Sequence, residues 1–236
     1  HFPYANLPNR LGRMVGRDDD VLKLSAQLTD SRFVTIVGPG GVGKTTVAIS
    51  AAHQVAEDFA GHVLFVDFSV ITDPGLAATT IASMLGLSVQ AEDPTPDLIR
   101  FLRDKRFLLV LDTCEHLVEA IAALVETILE AAPEVHVLAT SREALRIEGE
   151  RIYRLDALAY PPEAPGFSVS AIEQFPATQL FIDRAIAIGA HLDVSDAEAA
   201  IVSDICRKLD GVALAIELAA RRVEAYGLEQ TAALLD

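Results

Sequence analysis

The chain has 236 residues, 51% of them hydrophobic, which suits one large or two small domains with a sizeable core. Its 34 acidic residues against 19 Lys and Arg give a formal charge of −15, a balance that repels a phosphate backbone and argues against DNA binding by this segment itself. Two distant cysteines without metal-ligand spacing, Cys114 and Cys206, indicate neither a disulfide framework nor a zinc site, and without a long apolar run or a signal-peptide pattern the expected setting is cytoplasmic, away from any membrane.

Apolar β-branched runs and helical periodicities alternate from the first predicted strand onward. Strands are expected at Phe33–Val37, Val63–Phe68, Phe107–Leu111, Val135–Ala139 and Arg151–Leu155, with helices between them near 44–58, 75–86, 96–104 and 115–131. This order predicts an α/β fold, a parallel sheet with helices on both faces. Residues 157–170 carry Pro161, Pro162, Pro165 and Gly166 and read as a linker. Beyond it only helical spacing occurs: Ala177, Leu180, Phe181, Ala185 and Ile188 on one face, a capping box of Ser195 with Glu198, then Ile201, Ile205 and Leu209, and a third helix after Gly211. The expected domains are a nucleotide-binding domain over 1–158 and a small helical domain over 171–236. The chain opens on His1 and ends in a helical pattern, so a piece of a longer protein is expected.

Gly38-Pro39-Gly40-Gly41-Val42-Gly43-Lys44-Thr45-Thr46 completes the phosphate-loop pattern G-x-x-x-x-G-K-[ST], between a strand and a helix as that pattern requires. Glycines let successive N–H groups turn toward phosphate oxygens, and the helix N-terminus adds partial positive charge. Lys44 is expected on the β- and γ-phosphates and Thr45 on Mg²⁺. The fixed positions fall together by chance in about one chain of this length in a hundred, and the plainer alternative is a Gly-rich turn before a surface helix.

Phe107-Leu108-Leu109-Val110-Leu111-Asp112 is an apolar strand ending in an acid, a Walker B pattern that places Asp112 beside Mg²⁺. Alone, such an Asp is more often a helix cap, and the phosphate loop upstream reverses that preference. Arg142, after Ala139-Thr140-Ser141, stands where a cation can sense the γ-phosphate, or else pairs on the surface with Glu143 or Glu148. The residue after Asp112 is Thr113, a poor base, so hydrolysis is expected to be slow. Glu115 is the nearest carboxylate that could orient water, unless it merely complements the dipole of the following helix; His116 is the nearest imidazole. Glu217 is either a buried partner for a basic group or a surface residue, and His53, His62, His136 and His191 lack metal spacing.

In this order the motifs resemble the signal-transduction ATPases with numerous domains, the class that includes NB-ARC proteins, and most of all those joined to a winged-helix DNA-binding domain in bacterial transcriptional regulators. Leu11-Gly12-Arg13-Met14-Val15-Gly16-Arg17-Asp18 is similar to the family's hhGRE segment, with Asp18 where Glu is usual. Leu111-Asp112-Thr113-Cys114-Glu115-His116-Leu117 resembles "LDNCEHL", with Thr113 for Asn, and Thr140-Ser141-Arg142-Glu143 resembles the sensor segment. Leu209-Asp210-Gly211-Val212-Ala213-Leu214-Ala215-Ile216-Glu217-Leu218-Ala219-Ala220 is similar to "LDGLPLAIELAA", with Ala213 in place of the proline that packs on adenine.

The resemblance implies ATP or ADP with Mg²⁺ as ligands. Val15, Gly16, Arg17, Gly211 and Ala213 would serve the nucleoside, and the 38–46 loop and Arg142 the phosphates. Lys44, Asp112, Glu115 and Arg142 would carry hydrolysis. It also implies a switch in which ADP holds a closed state and ATP exposes a surface for self-association or for other domains. The absence of a guanine-reading [NT]KxD pattern agrees with adenine. Two alternatives stand beside the switch: a metabolic ATPase or small-molecule kinase, and a nucleotide-stabilised scaffold without turnover.

Overall fold

The computed structural model describes residues 6–9, 14–87, 93–163, 169–190 and 195–235, so Leu11–Arg13 of the hhGRE-like segment, part of the proline-rich stretch and His191 lie outside it. Two compact units divide the chain. One comprises 1–12, 19–38 and 44–155; the other comprises 13–18, 39–43 and 156–236.

The first unit is built on five parallel strands: β1 (Phe33–Val37), β2 (Val63–Asp67), β3 (Phe107–Asp112), β4 (Val135–Ser141) and β5 (Arg151–Arg154), in the order β2-β3-β4-β1-β5. β1, β3 and β4 are almost continuously apolar because both faces of a parallel sheet are covered. Phe33, Leu109, Leu111, Val135, Val137 and Ala139 join a core with α3 (Ala77–Met84), α4 (Thr95–Leu102) and α5 (Val118–Ala131). Alternate residues Val34, Ile36, Leu108, Val110 and Leu138 point to the other face and are equally buried. There α2 (Lys44–Val55) packs on β1, β3 and β4.

Expected elements are all present, with shifted ends. The 44–58 helix finishes as a 3₁₀ turn over Ala56–Phe59, stopped by left-handed Ala60. The 75–86 helix opens as a 3₁₀ turn over Pro74–Leu76, capped by the Asp73 side chain, which accepts from Gly75 N. The helix expected from 115 begins only at Val118, because Thr113 turns the chain with φ +62° and Cys114–Leu117 forms a separate turn closed by Leu117 N–H on Cys114 O. A further helix, α1 (Asp18–Asp30), precedes β1 and buries Val21, Leu24, Ser25 and Leu28, a spacing of i, i+3, i+4, i+7. Its Asp20 accepts from the Tyr153 hydroxyl on β5 at 2.5 Å. The sheet edges are treated differently. Asn6 covers β2, its side chain donating to Phe65 O at 2.8 Å and accepting from Phe65 N–H at 2.6 Å, whereas β5 is short, mostly exposed and bounded by Arg151 and Arg154.

The second unit is helical: α6 (Val169–Ile172), α7 (Pro176–Ala187), α8 (Asp196–Lys208), α9 (Ala213–Ala220), α10 (Val223–Tyr226) and α11 (Leu228–Ala233). Its core gathers Phe181, Ala185, Val202, Ile205, Cys206, Ile216 and Ala220, together with Val15 and Leu158. The capping box is formed in both directions between Ser195 and Glu198. Glu217 is half-buried and accepts from Arg184 Nε at 2.9 Å, so it is a partner for a basic group. The proline-rich stretch is packed rather than free where it is described. Leu158 is buried, and its N–H donates to Gly211 O at 2.9 Å. Gly211 is required there: its φ is +66°, and a Cβ would lie 2.0 Å from Leu158 O. Gly211→Ala is therefore expected to lower the stability of the helical unit by about 2–4 kcal/mol, read as an earlier urea midpoint; an unchanged midpoint would contradict this packing.

Candidate nucleotide site

At the carboxyl end of the parallel strands, the first unit gathers a polar cluster. Asp112, the last residue of β3, is 4% exposed and is surrounded by hydroxyls from three elements. Thr140 of β4 donates to Oδ1 at 2.5 Å; Thr45 of α2 lies 2.9 and 3.0 Å from Oδ1 and Oδ2; Thr113 Oγ1 donates to Oδ2 at 3.2 Å. Thr140 Oγ1 also accepts the Thr113 N–H at 2.9 Å, fixing the left-handed turn that leaves β3. Burial raises the Asp112 carboxyl above its usual range, the three hydroxyls oppose the rise, and Asp67 at the end of β2 adds to it.

Lys44 is buried at the start of α2, and its ammonium donates to Gly38 O at 2.8 Å. Desolvation lowers its pKa, Glu115 and Asp112 favour its charge, and Arg142 disfavours it. Arg142 pairs with Glu115 rather than with Glu143 or Glu148: Nε to Oε1 is 3.3 Å, and Glu143 is taken by Arg146. Glu115 lies before α5, whose first-turn acid is Glu119, so it does not serve that helix start. Its Oε2 is buried without a hydrogen-bond partner. His116 is turned away, its Nε2 against Ile71 O at 2.7 Å.

Pro39, Gly40, Gly41, Val42 and Gly43 belong to the second unit, and Gly41 and Gly43 have φ of +79° and +103°. Thr46 is half-buried in the first turn of α2. The remaining expected nucleoside residues have packing roles. Val15 sits in the helical core, and a Cβ on Gly16 (φ +66°) would meet Pro176 Cβ at 2.3 Å. Ala213 is half-buried against the same core, and Gly211 abuts Leu158. Arg17 is buried with its guanidinium on backbone carbonyls. Sequence reasoning missed the hydroxyl ring: a threonine within the apolar run Val135–Ala139 and its continuation is the one signal that could have revealed Thr140.

The donor set fits a magnesium-bound nucleotide. A hydroxyl hydrogen-bonded to a carboxylate, with a buried lysine whose charge that carboxylate favours, are the hard ligands and counter-charge that a metal–phosphate pair takes. Beside them, the buried Glu115 Oε2 has no hydrogen-bond partner among the described residues, so a bound water or ligand oxygen would satisfy it. Among the described residues no separate cluster of His, Cys, Asp and Glu could hold a metal, and no helix is long and apolar enough to cross a membrane.

The profile of the NB-ARC domain matches residues 17–145, more than half of the chain. The chain belongs to the NB-ARC family. This NB-ARC chain is 41% identical over 214 residues to a Mycobacterium tuberculosis protein named "Putative HTH-type transcriptional regulator", covering 90% of the chain and 23% of that protein. It is 28% identical over 239 residues to the regulatory protein AfsR of Streptomyces griseus, covering 94% of the chain and 22% of AfsR. The chain thus spans under a quarter of the length of these two relatives. Its fold is that of a Walker-type ATPase of Pyrococcus abyssi (TM-score 0.64, 13% identity, 98% of this chain and 74% of that one). It is also similar to a signal-transduction ATPase with numerous domains carrying a tetratricopeptide repeat sensor, from Pyrococcus horikoshii (TM-score 0.56, 12% identity, 98% of this chain and 34% of that one). The NB-ARC family is one of nucleotide-binding phosphate-loop modules, and the parallel sheet with its phosphate loop has the matching fold.

A raised Asp112 pKa sets the sign of its effect on stability without metal. Protonated below the ordinary carboxylate range, the group costs the fold nothing; as pH rises through its folded pKa the buried charge becomes increasingly unfavourable. Metal-free Asp112→Asn is therefore expected to melt higher than the parent at pH 7, with the gap closing toward pH 4, by calorimetric melts in chelator. A parent that melts higher than the variant at pH 7 would reverse the assigned electrostatics.

Proposed function

We propose that this chain is the ATP/ADP-binding switch of a multidomain transcriptional regulator and that it hydrolyses ATP slowly with Mg²⁺. The observation that carries this reading is the convergence of Lys44, Thr45, Asp112 and the orphaned Glu115 oxygen at the end of β3. MgATP, when bound, supplies the phosphoanhydride to be cleaved. Thr45 and Asp112 hold the metal, Lys44 exchanges the Gly38 carbonyl for phosphate oxygens, and Arg142 carries positive charge to the terminal phosphate. Glu115 Oε2 accepts a hydrogen bond from the attacking water and orients it. Val15, Gly16 and Ala213 serve the nucleoside side, with Ala213 giving a smaller apolar contact than a proline ring.

Slow turnover follows from the residues. Thr113 replaces the second acid that many such sites carry after the metal-binding Asp, and its hydroxyl is occupied by Asp112. Glu115 is meanwhile paired with Arg142, which draws it to one side. A long-lived ATP state suits a switch that must meet other domains or a second copy before it resets. The relatives named as regulators support that setting, and the acidic charge argues against DNA binding by this chain itself.

Lys44→Ala is expected to weaken both ATP and ADP by at least about tenfold in calorimetry, because it removes a desolvated charge-assisted contact; unchanged affinity would end the nucleotide reading. Parent turnover is expected far below the roughly 10 s⁻¹ of metabolic enzymes, and Glu115→Gln should slow single-turnover hydrolysis by about 10²-fold while leaving ADP affinity within threefold. Fast parent turnover would favour a metabolic enzyme. An unchanged rate in Glu115→Gln would remove that residue from the mechanism.

A further inference from the structure

Two carbonyls of the phosphate loop are held from within the second unit. Leu214, in the first turn of α9, donates its backbone N–H to Gly41 O at 2.9 Å. One nitrogen of the Arg17 guanidinium donates to Val42 O at 2.9 Å and to Asp156 O at 2.7 Å. Arg17 is 7% exposed, so these hydrogen bonds are made where water has been removed. The fit is close: a Cβ on Gly41 would lie 3.0 Å from Leu214 Cβ and 3.3 Å from Val212 Cγ1.

In a planar trans peptide, a C=O and the N–H that follows it point in opposite directions. Fixing Gly41 O on Leu214 therefore aims the Val42 N–H away from α9. Fixing Val42 O on Arg17 aims the Gly43 N–H away from the guanidinium. These are amides of the kind that a glycine-rich loop turns on a phosphate, and their directions are set by the opposite ends of the same peptide planes.

We propose that Arg17 is a positioning residue of the phosphate loop and not a base or ribose ligand: with the Leu214 N–H it pre-sets the loop amides, so that phosphate affinity depends on it whether or not a nucleoside is attached. The proposal rests on the 38–46 loop being a phosphate site. It also makes the first turn of α9 and the Asp156 carbonyl part of the loop's mounting, since a displacement of either rotates a peptide plane that faces the ligand.

The test uses the whole chain, with ADP and inorganic tripolyphosphate as probes in calorimetry. Arg17→Gln is expected to lower affinity for both by about tenfold, keeping the ratio of the two within threefold of the parent's. Loss of ADP affinity with tripolyphosphate unchanged would overturn the proposal, because it would make Arg17 a nucleoside ligand. The second readout is the ¹⁵N order parameters of the Val42 and Gly43 amides in nucleotide-free protein, which are expected to fall in Arg17→Gln. Unchanged order with lost affinity would overturn it equally, since that is the signature of direct phosphate contact. Arg17→Lys keeps the cation if the Gln variant does not fold; it should show intermediate loop order and intermediate loss for both probes, and full loop order with lost tripolyphosphate affinity would sink the idea. A parent that binds neither probe would refute the phosphate-site reading instead.

Discussion

The carboxylate of Asp112 is the constraint around which the site is organised. β3 is buried along its whole length, so its terminal acid leaves water at the end of an apolar strand, where a charge survives only if its oxygens are hydrogen-bonded. Thr45, Thr113 and Thr140 supply those bonds from three separate elements, and in doing so they tie the first turn of α2, the turn after β3 and the end of β4 to one point. The cost is visible in the backbone. Thr113 is β-branched and yet left-handed, a conformation that an asparagine tolerates more readily, and its N–H is held in place by the Thr140 hydroxyl.

The charges beside this point are balanced without being saturated. Lys44 loses pKa to burial and is held up by two acids, while Arg142 works against it. The Arg142 side chain is 68% exposed, so its ion pair with Glu115 is of the weak solvent-screened kind, worth about 0–1 kcal/mol. A pair of that strength is readily exchanged for a phosphate. Cys114, next to the cluster, takes no part: burial pushes its thiol up, well beyond ordinary values, and it donates to Leu111 O.

The sequence made the parallel sheet legible because its strands are apolar runs, and made the loop legible because glycine spacing follows from backbone geometry. The ends of elements were less legible: α5 starts three residues late because of a left-handed threonine, a conformation that residue type argues against. α1 carries helical spacing at Val21, Leu24 and Leu28, but these few apolar positions follow a charged start, Asp18-Asp19-Asp20, and make a weak periodic signal. Among the site residues, Lys44, Thr45 and Asp112 are marked by their spacing from each other. Arg17 is not: a lone arginine carries no sign that carbonyls rather than a ligand will take its guanidinium, since those carbonyls come from residues 25 and 139 positions away.

The two edges of the sheet show how this fold avoids pairing edge to edge with copies of itself. An uncovered parallel strand is a template on which another chain can add. On one side a single asparagine amide imitates a strand residue, satisfying both the N–H and the C=O of Phe65 and ending the ladder there. On the other side the last strand is only four residues long and begins and ends in arginine, so two such edges brought together would place like charges opposite each other. The same devices explain why the exposed Ile152 between those arginines is tolerated: it is an apolar contact that a second copy can approach only against repulsion.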